Sequence, residues 1–189
     1  MRVIAGELKG RKLVSPKGAN VRPTADRVKE AIFSMLQPDL PGAVCLDLFA
    51  GSGALGIEAI SRGADLVYFC DKSPASLAAI EENLDACRVD RQRAVVIVKD
   101  WRTVPAGIDK KCNLVFIDAP YNMCEHYSQI LEVLSKGRVL EEGAHIAVER
   151  SASAGSYLLP AGFEKIREKR YGSVGVDLLA YADTGEENE

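Results

Sequence analysis

Apolar residues in this chain fall into short continuous runs separated by stretches with helical spacing. Val3–Ala5 and Lys12–Val14 are strand-like pieces around Gly6 and Gly10 and predict a small hairpin. Pro16, Gly18 and Pro23 punctuate the stretch after it. Thr24 is placed to cap a helix starting near Asp26, with Val28, Ile32, Phe33, Met35 and Leu36 as its apolar stripe. From there strands and helices alternate. Strands are expected at Ala43–Leu48, Leu66–Cys70, Ala94–Val98, Asn113–Ile117 and Ala144–Val148. Helices are expected at Ala54–Arg62, closed by Gly63, at Pro74–Cys87 and at Tyr127–Leu134. Uninterrupted apolar strands between amphipathic helices imply a parallel sheet covered on both faces. The end breaks the rhythm. Phe163–Arg170 and Ser173–Tyr181 are joined by the short turn Tyr171-Gly172, too short to hold a crossover helix, so at least one of these strands runs antiparallel.

The chain has 189 residues, enough for one domain with a small appendage, and its 47% hydrophobic content suffices for a core. No apolar run approaches the roughly 20 residues of a membrane span, and Met1–Gly6 carries no apolar signal region. Five cysteines without a CxxC pair support neither a zinc site nor a disulfide framework, and four of them sit in apolar patterns as expected for reduced buried thiols. These features predict a cytoplasmic protein. Net charge is −3, yet residues 1–30 carry eight basic and three acidic side chains, while the last seven residues hold four acids and no base. The expected organisation is a basic hairpin and helix at 1–40 that offers a phosphate-contacting face to nucleic acid, an α/β domain at 41–183 and an acidic tail at 184–189.

Two strand ends carry the candidate chemistry. Gly51-Ser52-Gly53-Ala54-Leu55-Gly56 follows one strand and opens a helix, and Asp71 lies 20 residues after Gly51, which satisfies a dinucleotide fingerprint. A nicotinamide dinucleotide and S-adenosylmethionine are both readings of that loop. Charge separates them. Asp47, Asp71 and Asp100 fall at or just past strand ends on one edge of the sheet. An unpaired Asp47 would repel a pyrophosphate but favour a sulfonium. Asp71 can accept from two ribose hydroxyls, Asp100 from an adenine amino group, and Trp101 can flank the adenine ring. Ser52 and Lys72 join the expected cofactor set. At the second strand end, Asp118-Ala119-Pro120-Tyr121 offers a carboxylate and a carbonyl to hold an exocyclic amine, a proline to stiffen the turn, and an aromatic ring to stack on a base. His145 is expected packed in its strand, and His126 is a candidate for the substrate mouth.

Leu46-Asp-Leu-Phe-Ala-Gly-Ser-Gly-Ala-Leu-Gly-Ile-Glu-Ala59, together with Asp118-Ala-Pro-Tyr121, resembles class I S-adenosylmethionine-dependent amino methyltransferases, whose signature is Asn/Asp-Pro-Pro-Tyr/Phe. Met1-Arg-Val-Ile-Ala-Gly-Glu-Leu-Lys-Gly-Arg-Lys-Leu13 and Arg22-Pro-Thr-Ala-Asp-Arg-Val-Lys-Glu-Ala-Ile-Phe33 are similar to the RsmD family, across essentially the whole chain. The resemblance implies a Rossmann-like α/β fold with a seven-stranded, mostly parallel sheet and an antiparallel last strand. It implies methyl transfer from S-adenosylmethionine to N2 of a guanine in small-subunit (16S) ribosomal RNA, free or in an assembling subunit, with no membrane or metal requirement. It places Gly51, Gly53, Asp71 and Asp100 at the cofactor, Asp118, Pro120 and Tyr121 in the catalytic turn, and Arg22, Thr24, Asp26 and Arg27 beside the RNA. Ala119 departs from the signature's first proline. An N6-adenine methyltransferase of DNA or RNA shares this core and stays open, as does the nicotinamide oxidoreductase. Asp at 118 does not by itself name the base.

Overall fold

The computed structural model describes residues 1–16 and 26–185, with only the backbone of Tyr121, Asn122 and Cys124. Arg22 and Thr24 lie outside the described residues. Seven strands, β1 (Val44–Asp47), β2 (Leu66–Asp71), β3 (Ala94–Val98), β4 (Cys112–Ile117), β5 (Leu140–Ser151), β6 (Phe163–Tyr171) and β7 (Val174–Tyr181), form one sheet in the order β3-β2-β1-β4-β5-β7-β6. Pairs from β3 through β5 are parallel, and β7 runs antiparallel to both β5 and β6. This is the parallel sheet covered on both faces that the apolar pattern implied, with the antiparallel last strand that the resemblance implied. The order reverses between β1 and β4, and at such a switch point the crossovers leave opposite faces and open a crevice at the carboxyl ends.

Among the described residues four α-helices cover the sheet: α1 (Asp26–Met35), α2 (Ala54–Ser61), α3 (Pro74–Cys87) and α4 (Tyr127–Lys136). Alternation along the strands sorts the core into two clusters. Cys45, Val67, Phe69, Leu114 and Phe116 meet α1, α2 and α3 on one face. Leu46, Tyr68, Cys70, Val115 and Ile117 meet α4 and a 3-10 turn at Trp101–Gly107 on the other. Helix α3 begins where local chemistry dictates. Pro74 occupies the first turn, and the Ser73 side chain accepts from the Ser76 amide.

The N-terminal hairpin forms as a single antiparallel bridge, Arg2 to Lys12. Val3 and Leu13 enter the same apolar cluster as α1 and α2. The hairpin is bound to α2 by polar contacts: the Ile4 and Ala5 amides donate to the two oxygens of Glu58 at 2.8 and 3.0 Å. Lys29 of α1 and Arg62 also pair with Glu58, at 3.1 and 2.8 Å, and Glu58 is fully buried. All eight residues of α2 are therefore buried, between sheet and hairpin. A second buried ion cluster lies across β5, β6 and β7. Arg150 pairs with Asp177 at 2.9 Å and with Glu168 at 2.6 Å, while Lys165 reaches Asp177 at 3.1 Å. Burial works against Asp177 ionising, but hydrogen bonds from Arg150 and Lys165 prevail and hold its carboxyl below the usual value.

Two strand-level expectations need correction. β5 is not confined to Ala144–Val148. It starts at Leu140, which pairs with Cys112 before the register shifts, so polar Glu141 and Glu142 belong to the strand. His145 is not packed into the core. It is part-exposed, with Nδ1 3.0 Å from Asp39 of the turn after α1. Among the described residues no helix is long and apolar enough to cross a membrane.

Candidate active site

The carboxyl ends of β1, β2, β4 and β5 open onto one cleft of about 520 Å³. Its floor begins with the glycine loop after β1. Gly53 adopts φ 76°, left-handed geometry that glycine enters without strain, and its amide closes the turn on the Ala50 carbonyl at 2.6 Å. Gly56 has a different reason to be glycine. A Cβ there would lie 2.3 Å from the Phe69 ring, so its absence lets α2 settle on β2. Sequence reasoning missed Phe49, a non-glycine residue at φ 111° in the same turn. Its amide and that of Ala50 both donate to the Cys70 carbonyl, at 3.1 and 3.0 Å, which holds the strained residue in place beside the cleft.

The three strand-end acids have distinct settings. Asp47 is 2% exposed and is not the unpaired carboxylate expected from the sequence, because it accepts from the Gly56 amide at 2.9 Å. Burial pushes its carboxyl up to about 7, against the pull of that amide, and the charges of Asp118 and Asp71 push the same way. Asp71 spans two elements: one oxygen accepts from Gly51 at 2.9 Å, the other from Ser73 at 2.8 Å. Each carboxylate oxygen has a second acceptor position, so Asp71 shapes the loop and still offers acceptors to the cleft. Asp100 caps the turn at Trp101 and pairs with Lys72 at 3.0 Å and Arg102 at 2.9 Å. Its slight burial opposes ionisation, but the Arg102 amide and the two cations win and hold the carboxyl below its ordinary value. Arg102 also lies over the Trp101 ring, 4.3 Å from its centre.

Asp47, Gly51, Ser52, Asp71, Lys72, Asp100 and Trp101 all line the cleft, whereas Gly53, expected with them, does not. From the other side come Asp118, Ala119, Pro120 and Met123. Pro120, at φ −51° and ψ 140°, directs the chain from β4 into a 3-10 turn at Tyr121–His126, whose Met123 amide returns to the Pro120 carbonyl at 2.8 Å. The Tyr121 side chain lies outside the described residues. His126 is not a cleft residue. Its ring stands 6.2 Å from Trp101 and its Nδ1 is 3.1 Å from Gln129. Asp26 pairs with Arg2 at 3.1 Å on the surface, and Arg27 lies 5.8 Å over the Tyr171 ring. Neither lines the cleft. Glu149, 6% exposed at the end of β5, does line it and was missed from the sequence. The rule that singled out Asp47 and Asp118, a carboxylate where an apolar strand ends, applies equally to it. Cys70 also borders the cleft, but burial lifts its thiol to about 12, so it is no nucleophile near neutral pH.

The sequence profile of the family described as Conserved hypothetical protein 95 matches residues 1–180. The protein named Ribosomal RNA small subunit methyltransferase D from Escherichia coli K12 is 34% identical over 186 residues, covering 98% of this chain and 92% of that one. The chain belongs to the RsmD family. The Haemophilus influenzae protein of the same name is also 34% identical, over 94% of this chain and 92% of that one. Among solved structures, the Escherichia coli protein yhhF shares 32% identity and a TM-score of 0.86 over 97% of this chain and 99% of that one. At 14% identity and a TM-score of 0.61, over 78% of this chain and 49% of that one, SMU.776 shares the class I methyltransferase fold and was solved complexed with SAH. The RsmD assignment sets aside the nicotinamide alternative left open by the glycine spacing.

Proposed function

We propose that this protein transfers a methyl group from S-adenosylmethionine to the exocyclic N2 amine of a guanine in small-subunit (16S) ribosomal RNA, in the cytoplasm. One observation carries the reading: the glycine loop with Asp71 and the Asp118-Ala119-Pro120 turn line opposite sides of the same cleft. The names of the relatives supply the RNA. The donor set fits the cofactor. Asp71 retains acceptor positions for a diol, Asp100 and Trp101 border the same space, and Asp47 places a carboxylate under the glycine loop where a cation is attracted. At 4 Å such an attraction is worth about 1–4 kcal/mol between water-like and near-surface dielectrics.

Bound S-adenosylmethionine supplies an electrophilic methyl carbon on a cationic sulfur. The protein's task is to make a poor nucleophile reactive, because the amine lone pair is delocalised into the ring. Asp118 accepts a hydrogen bond from the amine and takes its proton as the nitrogen–carbon bond forms and the carbon–sulfur bond breaks. The Ala119 carbonyl, held by the turn at Pro120, is the second acceptor, and Tyr121 stacks on the base. Positioning of this kind accounts for much of the acceleration of a one-step displacement. Arg22, Thr24, Asp26 and Arg27, with the basic hairpin, border the RNA, so binding weakens as salt rises. The test is labelled methyl transfer to unmodified ribosomal RNA followed by nucleoside analysis. N2-methylguanosine supports the reading; N6-methyladenosine, or no transfer, overturns it.

A further inference from the structure

Glu149 has no part in the methyl transfer as proposed, yet its position is telling. β4 and β5 are parallel with Ile117, the last residue of β4, opposite Val148, so Asp118 just past β4 and Glu149 on β5 follow that pair side by side, at the roughly 5 Å spacing of neighbouring strands. Alternation along β5 puts Glu149 on the face opposite Val148, and Asp118 and Glu149 both line the cleft. The Tyr127 hydroxyl, from α4 below, donates to the Glu149 carbonyl at 3.0 Å and fixes the strand end. The cleft therefore presents two carboxylates side by side where the turn at 118–120 is to hold an amine.

The three amine-bearing bases differ in what lies next to that amine. In adenine and cytosine the neighbouring ring nitrogen is a bare acceptor, which an ionised carboxylate repels because it can only accept. Guanine alone places an N–H donor there. Building on the proposed methyl transfer, we infer that Glu149 is the residue that selects guanine, accepting from N1–H while Asp118 engages the N2 amine. A buried acceptor of this kind rejects a base that leaves it without a donor far more strongly than shape alone does.

The test uses the full-length protein and ribosomal RNA in which the guanine methylated by the wild type has been mapped, alongside the same RNA carrying 2-aminopurine at that position. 2-Aminopurine keeps the amine but has a bare ring nitrogen at N1. The wild type is expected to prefer guanine by at least about a hundredfold in kcat/KM. Glu149→Gln, whose amide can donate to that nitrogen, is expected to lose on guanine and gain on 2-aminopurine, so that the preference falls at least tenfold. S-adenosylhomocysteine affinity and thermal unfolding of the variant should match the wild type, which separates recognition from a folding defect. An unchanged preference in Glu149→Gln, whatever its overall rate, overturns the inference and leaves the methyl transfer standing. A wild type that modifies guanine and 2-aminopurine equally also overturns it. Failure of the wild type to modify guanine at all overturns the underlying reading instead.

Discussion

The loops that end the first three strands and the outer parts of the molecule are held by different kinds of bond. On the side of β1, β2 and β3, backbone amides supply most of the restraint: Gly56 binds Asp47, Gly51 and Ser73 bind Asp71, and Phe49 and Ala50 share the Cys70 carbonyl. Around the N-terminal hairpin, α1 and α2, and across the β5-β7-β6 ribbon, long side chains meet instead as buried ions, around Glu58 and around Asp177. The first arrangement needs particular residue types close together in the chain. The second also joins charges far apart in the chain, such as Lys29 with Glu58 and Arg150 with Asp177. A shape error should therefore damage the first side, and a missing charge the second.

The largest expected effect belongs to the turn at Asp118, proposed above as the reacting corner. Asp118→Ala should lower methyl transfer by about 10²–10⁴-fold while S-adenosylhomocysteine affinity by calorimetry stays at the wild-type value. A transfer rate near wild type would remove Asp118 from its assigned role. On the ionic side, Glu58→Ala leaves Lys29 and Arg62 without their shared partner and two amides of the hairpin without an acceptor. About 3–5 kcal/mol of stability should be lost in urea titration. On the amide side, Gly56→Ala drives a methyl group against the Phe69 ring and should cost about 1–3 kcal/mol. Phe69→Leu in the same chain should restore part of it, and strictly additive losses would show that the two residues do not press on each other.

The smallest effect is a pH dependence. Asp47 is raised from 3.8 to about 7 in the folded protein, so it favours the folded state most at low pH, and that contribution fades as pH climbs through about 7. Asp47→Asn should flatten this slope in stability measured between pH 5 and 8. Ionisation of Asp47, which burial resists most and the charges of Asp118 and Asp71 resist further, also favours a cation. The affinity ratio of S-adenosylmethionine to its neutral product should rise by up to about fivefold from pH 6 to pH 8. A flat ratio would show that Asp47 serves the loop alone.

The same contrast explains what could be read in the chain. α3 and β3 are observed with the boundaries expected, because Ser73-Pro74 and the flanking polar residues are local signals. The glycine loop and three strand-end acids were legible for the same reason, and all three acids reach the cleft. β5 was read too short because Glu141 and Glu142 resemble a loop until Cys112 is seen pairing with Leu140. Asp177 sits fully buried in an apolar strand, and nothing near it in sequence announces Arg150 or Lys165 as its partners. His145 looked like core until Asp39, 106 positions away, was found beside it.

Glu58 lies two residues after Gly56, on the helix that leaves the glycine loop. Whatever tilts that helix on filling of the loop must also tug on the strap formed by residues 4 and 5, since their amides end on its carboxylate. The glycine loop and the basic hairpin beside it, whose Met1 borders the same cleft, are thereby joined through the helix between them, at Glu58 and again at Ser61.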